Sequence, residues 1–284
     1  MIYVILSPVG PFFPTKPAAP APALPIPNGE SIAYTNGSSA APSTTNTSSE
    51  ITYSAQFSPI ALLATTSATR SWPGGVGEFK LAGNYAPCFA PQQKALAKGY
   101  QQNLWCLEGR ISEAGQMNMF CVLKKGEGEV EVTTPRLDGT ILPGVTVGAA
   151  QPNFTPAHDT NTPPSLLQRD SVLALLRAHA ANPSGTDKLE AIPAEWKITV
   201  SERDIELYEL VTEARAGNLL EVFGTGTAAI LCPVNRIGLE DGSPDLTTPS
   251  FSGGLGPVAR GVYEKISSIQ QGDVPGHQWT VECL

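Results

Sequence analysis

The apolar positions of the chain fall into segments whose spacing predicts strands and helices in mixed order. IYVILSPVG at the start is a short β-branched run ended by turn residues, as in a strand that enters a linker. SPIALLATTSATRSW is apolar and Thr-rich, and periodicity alone does not decide between strand and helix. PQQKALAKGY suits a helix closed by Gly99, and QQNLWCLEG suits a strand closed by Gly109. ISEAGQMNMFCVLKKGEGEVEVTT predicts two strands around the turn KKGEGE, with alternation strongest in EVEVTT.

Farther along, RDSVLALLRAHAAN is the clearest helix, with Val172, Leu173, Leu175 and Leu176 in one stripe and Asn182-Pro183 as its stop. WKITVSERDI predicts a strand running into a helix start, with Ser201 as cap and Asp204 at the capping-box position. LYELVTEARAGN is a helix stopped by Gly217, LLEVFGTGTAAILCPVNRI is a pair of strands hinged on glycines, and PVARGVYEKISSIQQG is a terminal helix. The mixture predicts an α/β or α+β domain.

Two stretches break this patterning. Residues 16–56 and 147–168 are mostly Pro, Ala, Ser, Thr and Asn, with too few large apolar side chains to offset the entropy of an ordered backbone. What remains of the 284 residues suffices for one globular body. A formal charge of -8, with 18 Lys and Arg and no basic stripe, argues against a nucleic-acid partner. No apolar run reaches membrane-spanning length, so no membrane association is expected. Five cysteines, Cys88, Cys106, Cys121, Cys232 and Cys283, share no metal-ligand spacing, which predicts free thiols in a reducing compartment and no metal site.

The chemistry concentrates around GVGEFKLAGNYAP. A solvated lysine needs no particular flanks, so Lys80 among glycines and alanines is expected to be enclosed, although a snorkelling lysine on a Gly-rich turn has the same residue type. An enclosed lysine can act as a nucleophile toward carbonyls, most often the aldehyde of pyridoxal phosphate. Glu113 in SEAGQMNMF is a carboxylate of the kind that keeps a pyridine nitrogen protonated, and it equally fits a turn or a water-facing position. ILPGVT and FGTGTAA are Gly and Thr turns suited to holding a phosphate with backbone amides, or to simple chain reversal.

Taken together, RSWPGGVGEFKLAGNYAP, GYQQNLW, ISEAGQMNMF, LDGTILPGVT and EVFGTGTAAILCPV resemble the branched-chain aminotransferases, class IV pyridoxal-phosphate enzymes of fold type IV. The resemblance covers residues 1–15, 57–146 and 169–284. It implies the large C-terminal domain of that fold, a mixed-sheet pseudo-barrel with surrounding helices, preceded by the end of a small domain. It also implies amino exchange between leucine, isoleucine or valine and 2-oxoglutarate, by a homodimer. Lys80 would carry the cofactor and move the proton, Tyr85 would bond the ring's phenolic oxygen, and Glu113 would meet the ring nitrogen. The amides of Val145 and Thr146 and the hydroxyl of Thr227 would hold the phosphate, with Arg70 supporting that side. Tyr85, Gln116, Thr227 and Ala228 would face the substrate.

Some positions depart from the family pattern. Gln116 stands where many members have Thr, and Ala229 removes the partner that Cys232 would need for a redox pair. The arginine expected two places after PGV is Arg169, beyond the second Pro- and Thr-rich run; removing residues 147–168 restores ILPGVTRDSVLALLRAH. That run starts with Val and ends with Gln, whose codons suit intron ends, and residues 16–56 similarly interrupt SPVGPFFPT and FSPIALLATT. Both runs therefore read as translated introns, with a genuine disordered surface loop as the competing reading, in a chain that lacks its small domain. The expected consequence is weak or absent cofactor binding and impaired or absent activity for the chain as it stands. D-amino-acid transaminase and aminodeoxychorismate lyase relatives are the competing chemistries, and the compartment is left open between cytoplasm and mitochondrion.

Overall fold

The structure, a computed structural model, describes residues 57–115, 117–144, 168–226, 230–277 and 279. The opening IYVILSPVG strand and both Pro- and Thr-rich runs lie outside the described residues, apart from Gln168. Nine strands are described: β1 (Ile60–Thr65), β2 (Gln102–Leu107), β3 (Arg110–Ala114), β4 (Met117–Lys124), β5 (Glu129–Pro135), β6 (Lys197–Arg203), β7 (Leu219–Gly226), β8 (Ile230–Leu239) and β9 (Leu246–Thr247). The helices are α1 (Ala82–Tyr85), α2 (Phe89–Ala97), α3 (Gln168–Ala181), α4 (Leu207–Arg215) and α5 (Pro257–Gln271), with a 3-10 turn at Ala86–Cys88.

The strand order β3-β2-β1-β8-β7-β4 returns on itself, because β3 also pairs with β4. This ring is a small barrel, from which β5 and β6 extend beside β4. Strand β1 runs parallel to both β2 and β8, and the pairs that join β2, β3, β4, β7 and β8 in sequence around the remainder are antiparallel. Alternate residues of the ring strands, among them Leu62, Leu104, Met119, Val222 and Ile237, form one apolar cluster that Ile205 and Leu210 join. The other faces of β4 and β7 carry Phe120, Val122 and Phe223 against Leu173 and Leu176 of α3 and Val258 and Val262 of α5. Phe120 and Phe223 stack with centroids 5.2 Å apart.

Most predicted elements are present, and SPIALLATTSATRSW contributes β1. Two expectations need correction. ISEAGQMNMFCVLKKGEGEVEVTT forms three strands, because Gly115 adopts φ 55 and turns the chain between β3 and β4. A glycine at the first position of a two-residue reversal supplies that angle without a Cβ clash. The second concerns Ser201, which caps no helix: its hydroxyl donates to Glu131 at 2.6 Å, and β6 continues to Arg203. Helix α4 starts only after Glu206, and Asp204 pairs with Arg136 instead.

Arg203 joins the two carboxylates around it. It donates from Nε and Nη2 to Glu131 at 2.9 and 3.1 Å, and from Nη1 and Nη2 to Glu209 at 2.9 and 2.6 Å. Burial pushes the Glu131 carboxyl up, but the hydrogen bonds from Arg203 and Ser201 outweigh it and leave the group at about 2. A depressed carboxyl stabilises the fold above its unfolded value near 4.5, and that contribution is lost as pH falls toward 2. Acid unfolding monitored by circular dichroism should therefore show a steep loss of stability across this window. Arg203→Met should flatten it; an unchanged acid limb would contradict the assignment.

Helix α5 is fixed at its start by Glu221 of β7, whose two oxygens accept the N–H groups of Val258 and Ala259 at 2.9 and 3.1 Å. Tyr100 packs against Gly238, where a Cβ would stand 2.2 Å from the ring. The tyrosine cannot retreat easily, because its hydroxyl donates to Asp245 at 2.9 Å and Arg236 lies over its face at 4.6 Å. Gly238→Ala should cost about 1–3 kcal/mol in urea unfolding, with partial recovery in a Gly238→Ala, Tyr100→Ala double variant. A loss under about 0.5 kcal/mol would show that the contact is not tight.

The described cysteines, Cys88, Cys106, Cys121 and Cys232, are free. Burial pushes the Cys106, Cys121 and Cys232 thiols up to about 12, so these three are poor thiolates. Among the described residues no helix is long and apolar enough to cross a membrane.

Candidate active site

The β3–β4 turn sets the register on which the site is built. With Ala114 opposite Met117, Glu113 stands opposite Asn118, and Asn118 in turn stands opposite Thr225 of β7. Directly opposed residues share a face, so these three polar side chains form one row across β3, β4 and β7. All three are buried, at 3%, 3% and 1% exposure, in a sheet whose neighbouring positions are apolar. A buried polar row has to be satisfied by something laid over it.

Two loops supply most of the partners. Arg70, also buried, places Nε 2.6 Å from Glu113 Oε1. Its Nη1 donates to the Thr140 carbonyl at 3.0 Å and to Gly77 O and Ser71 Oγ at 3.4 and 3.3 Å. Ser71 donates to Thr140 O as well, so residues 70–77 and 140–142 are laced together over the row. Gly77 is required there, since a Cβ would meet Thr140 O at 2.6 Å. Burial pushes the Glu113 carboxyl up to about 7, while the Arg70 charge and the Leu142 N–H, 3.2 Å from Oε2, oppose the rise. A group balanced near neutrality can offer either a proton or a charge to a partner base. Thr225 Oγ1 is buried with no hydrogen-bond partner among the described residues.

Asn84 holds the loop that carries Lys80, donating to Val76 O at 2.6 Å and Phe79 O at 2.8 Å. Lys80 itself is exposed, which corrects the expectation that it is enclosed. The tethered turn presents it outward, between Phe79 and Leu81, and no described element lies over it. Its surroundings are nonetheless unlike those of an ordinary surface lysine: Trp72, Val76, Phe79, Leu81 and Phe89 are large, apolar and 48–71% exposed. Tyr85 is half-buried, with the Arg70 guanidinium 5.8 Å from its ring centroid.

The Arg70 guanidinium is turned onto Glu113 and the Thr140 and Gly77 carbonyls. Arg70 thus touches Glu113, the Tyr85 ring and the carbonyl of Gly77, three residues before Lys80. Gln116, Val145, Thr146, Thr227 and Ala228 lie outside the described residues. The class IV resemblance that begins at Glu113 passes through Asn118, but the sequence assigns no role to it or to Thr225. Taking Gly115-Gln116 as a two-residue turn would have found the first, since that reading pairs position 113 with 118.

These features suit a pyridoxal-phosphate site: a buried acid poised near neutrality, an accessible lysine on a tethered loop, and an orphaned hydroxyl on Thr225 near the end of β7. Comparison with known proteins decides the family. The description amino-transferase class IV matches residues 29–171. The chain belongs to the class IV aminotransferases.

Within that family, a mitochondrial branched-chain-amino-acid aminotransferase of Saccharomyces cerevisiae is 41% identical over 232 residues, covering 80% of this chain and 50% of the relative. The cytosolic enzyme of the same yeast is 39% identical, covering 80% and 52%. A mitochondrial form from Schizosaccharomyces pombe is 36% identical, covering 82% and 46%. The chain therefore spans about half the length of the curated relatives it matches. The fold resembles that of a branched-chain amino acid aminotransferase from Thermobaculum terrenum, with TM-score 0.50 and 19% identity, over 77% of this chain and 53% of that one. This class IV aminotransferase thus has the α/β, mixed-sheet barrel of fold type IV.

Proposed function

We propose that the chain is the cofactor-carrying part of a branched-chain-amino-acid transaminase, which moves an amino group between leucine, isoleucine or valine and 2-oxoglutarate. The observation that carries this reading is the buried Arg70–Glu113 pair beneath the Lys80 loop. A carboxyl held near neutrality in a dry site suits a pyridine nitrogen, which must gain or share a proton. The similarity to the yeast enzymes supports the substrate class.

When bound, pyridoxal phosphate supplies an electron sink for the pair left behind as the amino acid's Cα loses its proton. Lys80 Nζ is the group that takes that proton and returns it, as general base and then general acid. Glu113 would take the ring nitrogen, and Arg70, in contact with its carboxyl, would hold that acid in place as a positioning residue. Tyr85 is assigned to the ring's phenolic oxygen. The amides of Val145 and Thr146 and the Thr227 hydroxyl are assigned to the phosphate, with Thr225 Oγ1 as a further donor. Gln116, Thr227 and Ala228 are assigned to the substrate side, and a homodimer is the assembly proposed.

Water around Lys80 weakens both its hold on the cofactor and every charge contact near it. Turnover by this chain alone is accordingly expected to be low. The test is glutamate formation from 2-oxoglutarate with leucine, isoleucine or valine as donor, beside D-alanine as donor and aminodeoxychorismate as a lyase substrate. Activity confined to the branched-chain donors supports the reading, and activity confined to either of the other two contradicts it.

A further inference from the structure

Asn118 occupies the middle of the polar row and uses both ends of its amide. Nδ2 donates to the Leu142 carbonyl at 2.8 Å, and Oδ1 accepts the Gly144 N–H at 3.1 Å. The peptide of Leu142 is shared, since its own N–H reaches Glu113 Oε2 at 3.2 Å. Residues 142–144 belong to no strand or helix, so the backbone groups at 142 and 144 take their partners from these two side chains. Neither an aspartate nor an apolar residue could do the same, because the position needs one donor and one acceptor. Phe120 and Val122, the next residues on this face of β4, are apolar and pack in the outer core, so the amide breaks an otherwise hydrophobic stripe.

We infer that Asn118 is a positioning residue that fixes the 142–144 segment, which is followed in sequence by the two amides assigned above to the phosphate. Through the Leu142 peptide it also couples that end of the site to the ring-facing carboxyl of Glu113. The identity of the anion rests on the function proposed above, whereas the brace itself does not. Its physical content is that three hydrogen bonds from one hairpin set the height and direction of the 142–144 segment over the sheet. Losing them leaves that segment free to sample other exits, and a phosphate then has to pay the ordering cost on binding.

The test compares the full chain with Asn118→Ala and Asn118→Asp. Amide hydrogen exchange reads the brace directly: in Asn118→Ala the Gly144 and Leu142 amides should exchange at least about tenfold faster, while β7 amides stay protected. Asn118→Asp keeps the acceptor and should keep Gly144 protected. Binding of pyridoxal phosphate should weaken roughly tenfold in Asn118→Ala, and binding of pyridoxal, which lacks the phosphate, by less than about twofold. Unchanged exchange at Gly144 and Leu142 in Asn118→Ala would overturn the brace, and equal weakening of both ligands would overturn its tie to the phosphate end. If the unsubstituted chain binds neither ligand, the proposed function falls, and exchange at Gly144 still decides the brace. Should Asn118→Ala unfold, Asn118→Asp carries the test by exchange. It loses the donor to the Leu142 carbonyl, so the Leu142 amide should exchange faster while Gly144 stays protected, and an unchanged Leu142 rate would contradict the brace.

Discussion

Lys80→Ala is expected to lower amino transfer from leucine by at least about a thousandfold while leaving the melting temperature unchanged. The two readouts separate because the side chain is exposed and contributes no packing among the described residues. An exposed substitution of this kind ordinarily costs less than about 0.5 kcal/mol. Lys80→Arg should be as inactive as the alanine variant, since a guanidinium does not deprotonate to act as a base or nucleophile. Leucine turnover in the arginine variant within tenfold of the parent would remove Lys80 from the chemistry.

Glu113→Ala should have the largest effect on stability. It leaves the Arg70 guanidinium buried without its counter-charge, a loss of about 3–5 kcal/mol in denaturant unfolding. Replacing both partners, as in Arg70→Leu with Glu113→Leu, should recover much of that, because neither charge is then stranded. Glu113→Gln keeps the shape and one acceptor, so it should be milder in stability and still poor in catalysis. The pH dependence gives an independent check. The carboxyl sits at about 7 in the fold against 4.5 unfolded, so its favourable contribution is complete below 4.5 and disappears as pH rises through 7. Burial raises Glu221 to about 7 as well, so it titrates over the same range. The difference between the parent and Glu113→Gln is therefore the quantity to plot. A difference that does not vary between pH 4.5 and 7 would show that the carboxyl titrates normally.

How much of this was legible in the sequence depends on how local the cause is. Helices α2, α4 and α5 are set by stripes and by glycines at their ends, all within a dozen or so residues, and all three were readable. The β3–β4 turn was not, because a single glycine inside ISEAGQMNMF carries no obvious break, although its backbone angle decides which side chains face each other. Closure of the barrel was beyond reach for the same reason in stronger form: β1 pairs with β8 across more than a hundred residues, and nothing near either strand encodes the partner.

The site divides in a similar way. Lys80 and Glu113 could be singled out because their chemistry is specific, and family resemblance gave each a role. Their setting was less visible. Enclosure of Lys80 was inferred from small neighbours, but small residues also build the turn that pushes it outward, with Asn84 holding the carbonyls on either side of Glu78. The resemblance gave Arg70 a supporting place on the phosphate side, and its buried contact with Glu113, 43 positions away, was not readable from the sequence. Pairing of buried charges is a three-dimensional matter, and sequence separation gives no measure of it.

The central claim is that the amine of Lys80 is the one that bonds to the cofactor's aldehyde carbon. It is tested most directly by incubating the chain with pyridoxal phosphate, reducing with borohydride and mapping the modified lysine by mass spectrometry. The account predicts that Lys80 carries most of the label at low cofactor concentration and that prior addition of leucine diminishes it. Label spread evenly over Lys80, Lys94, Lys98 and Lys197, or absent from Lys80, would contradict the account.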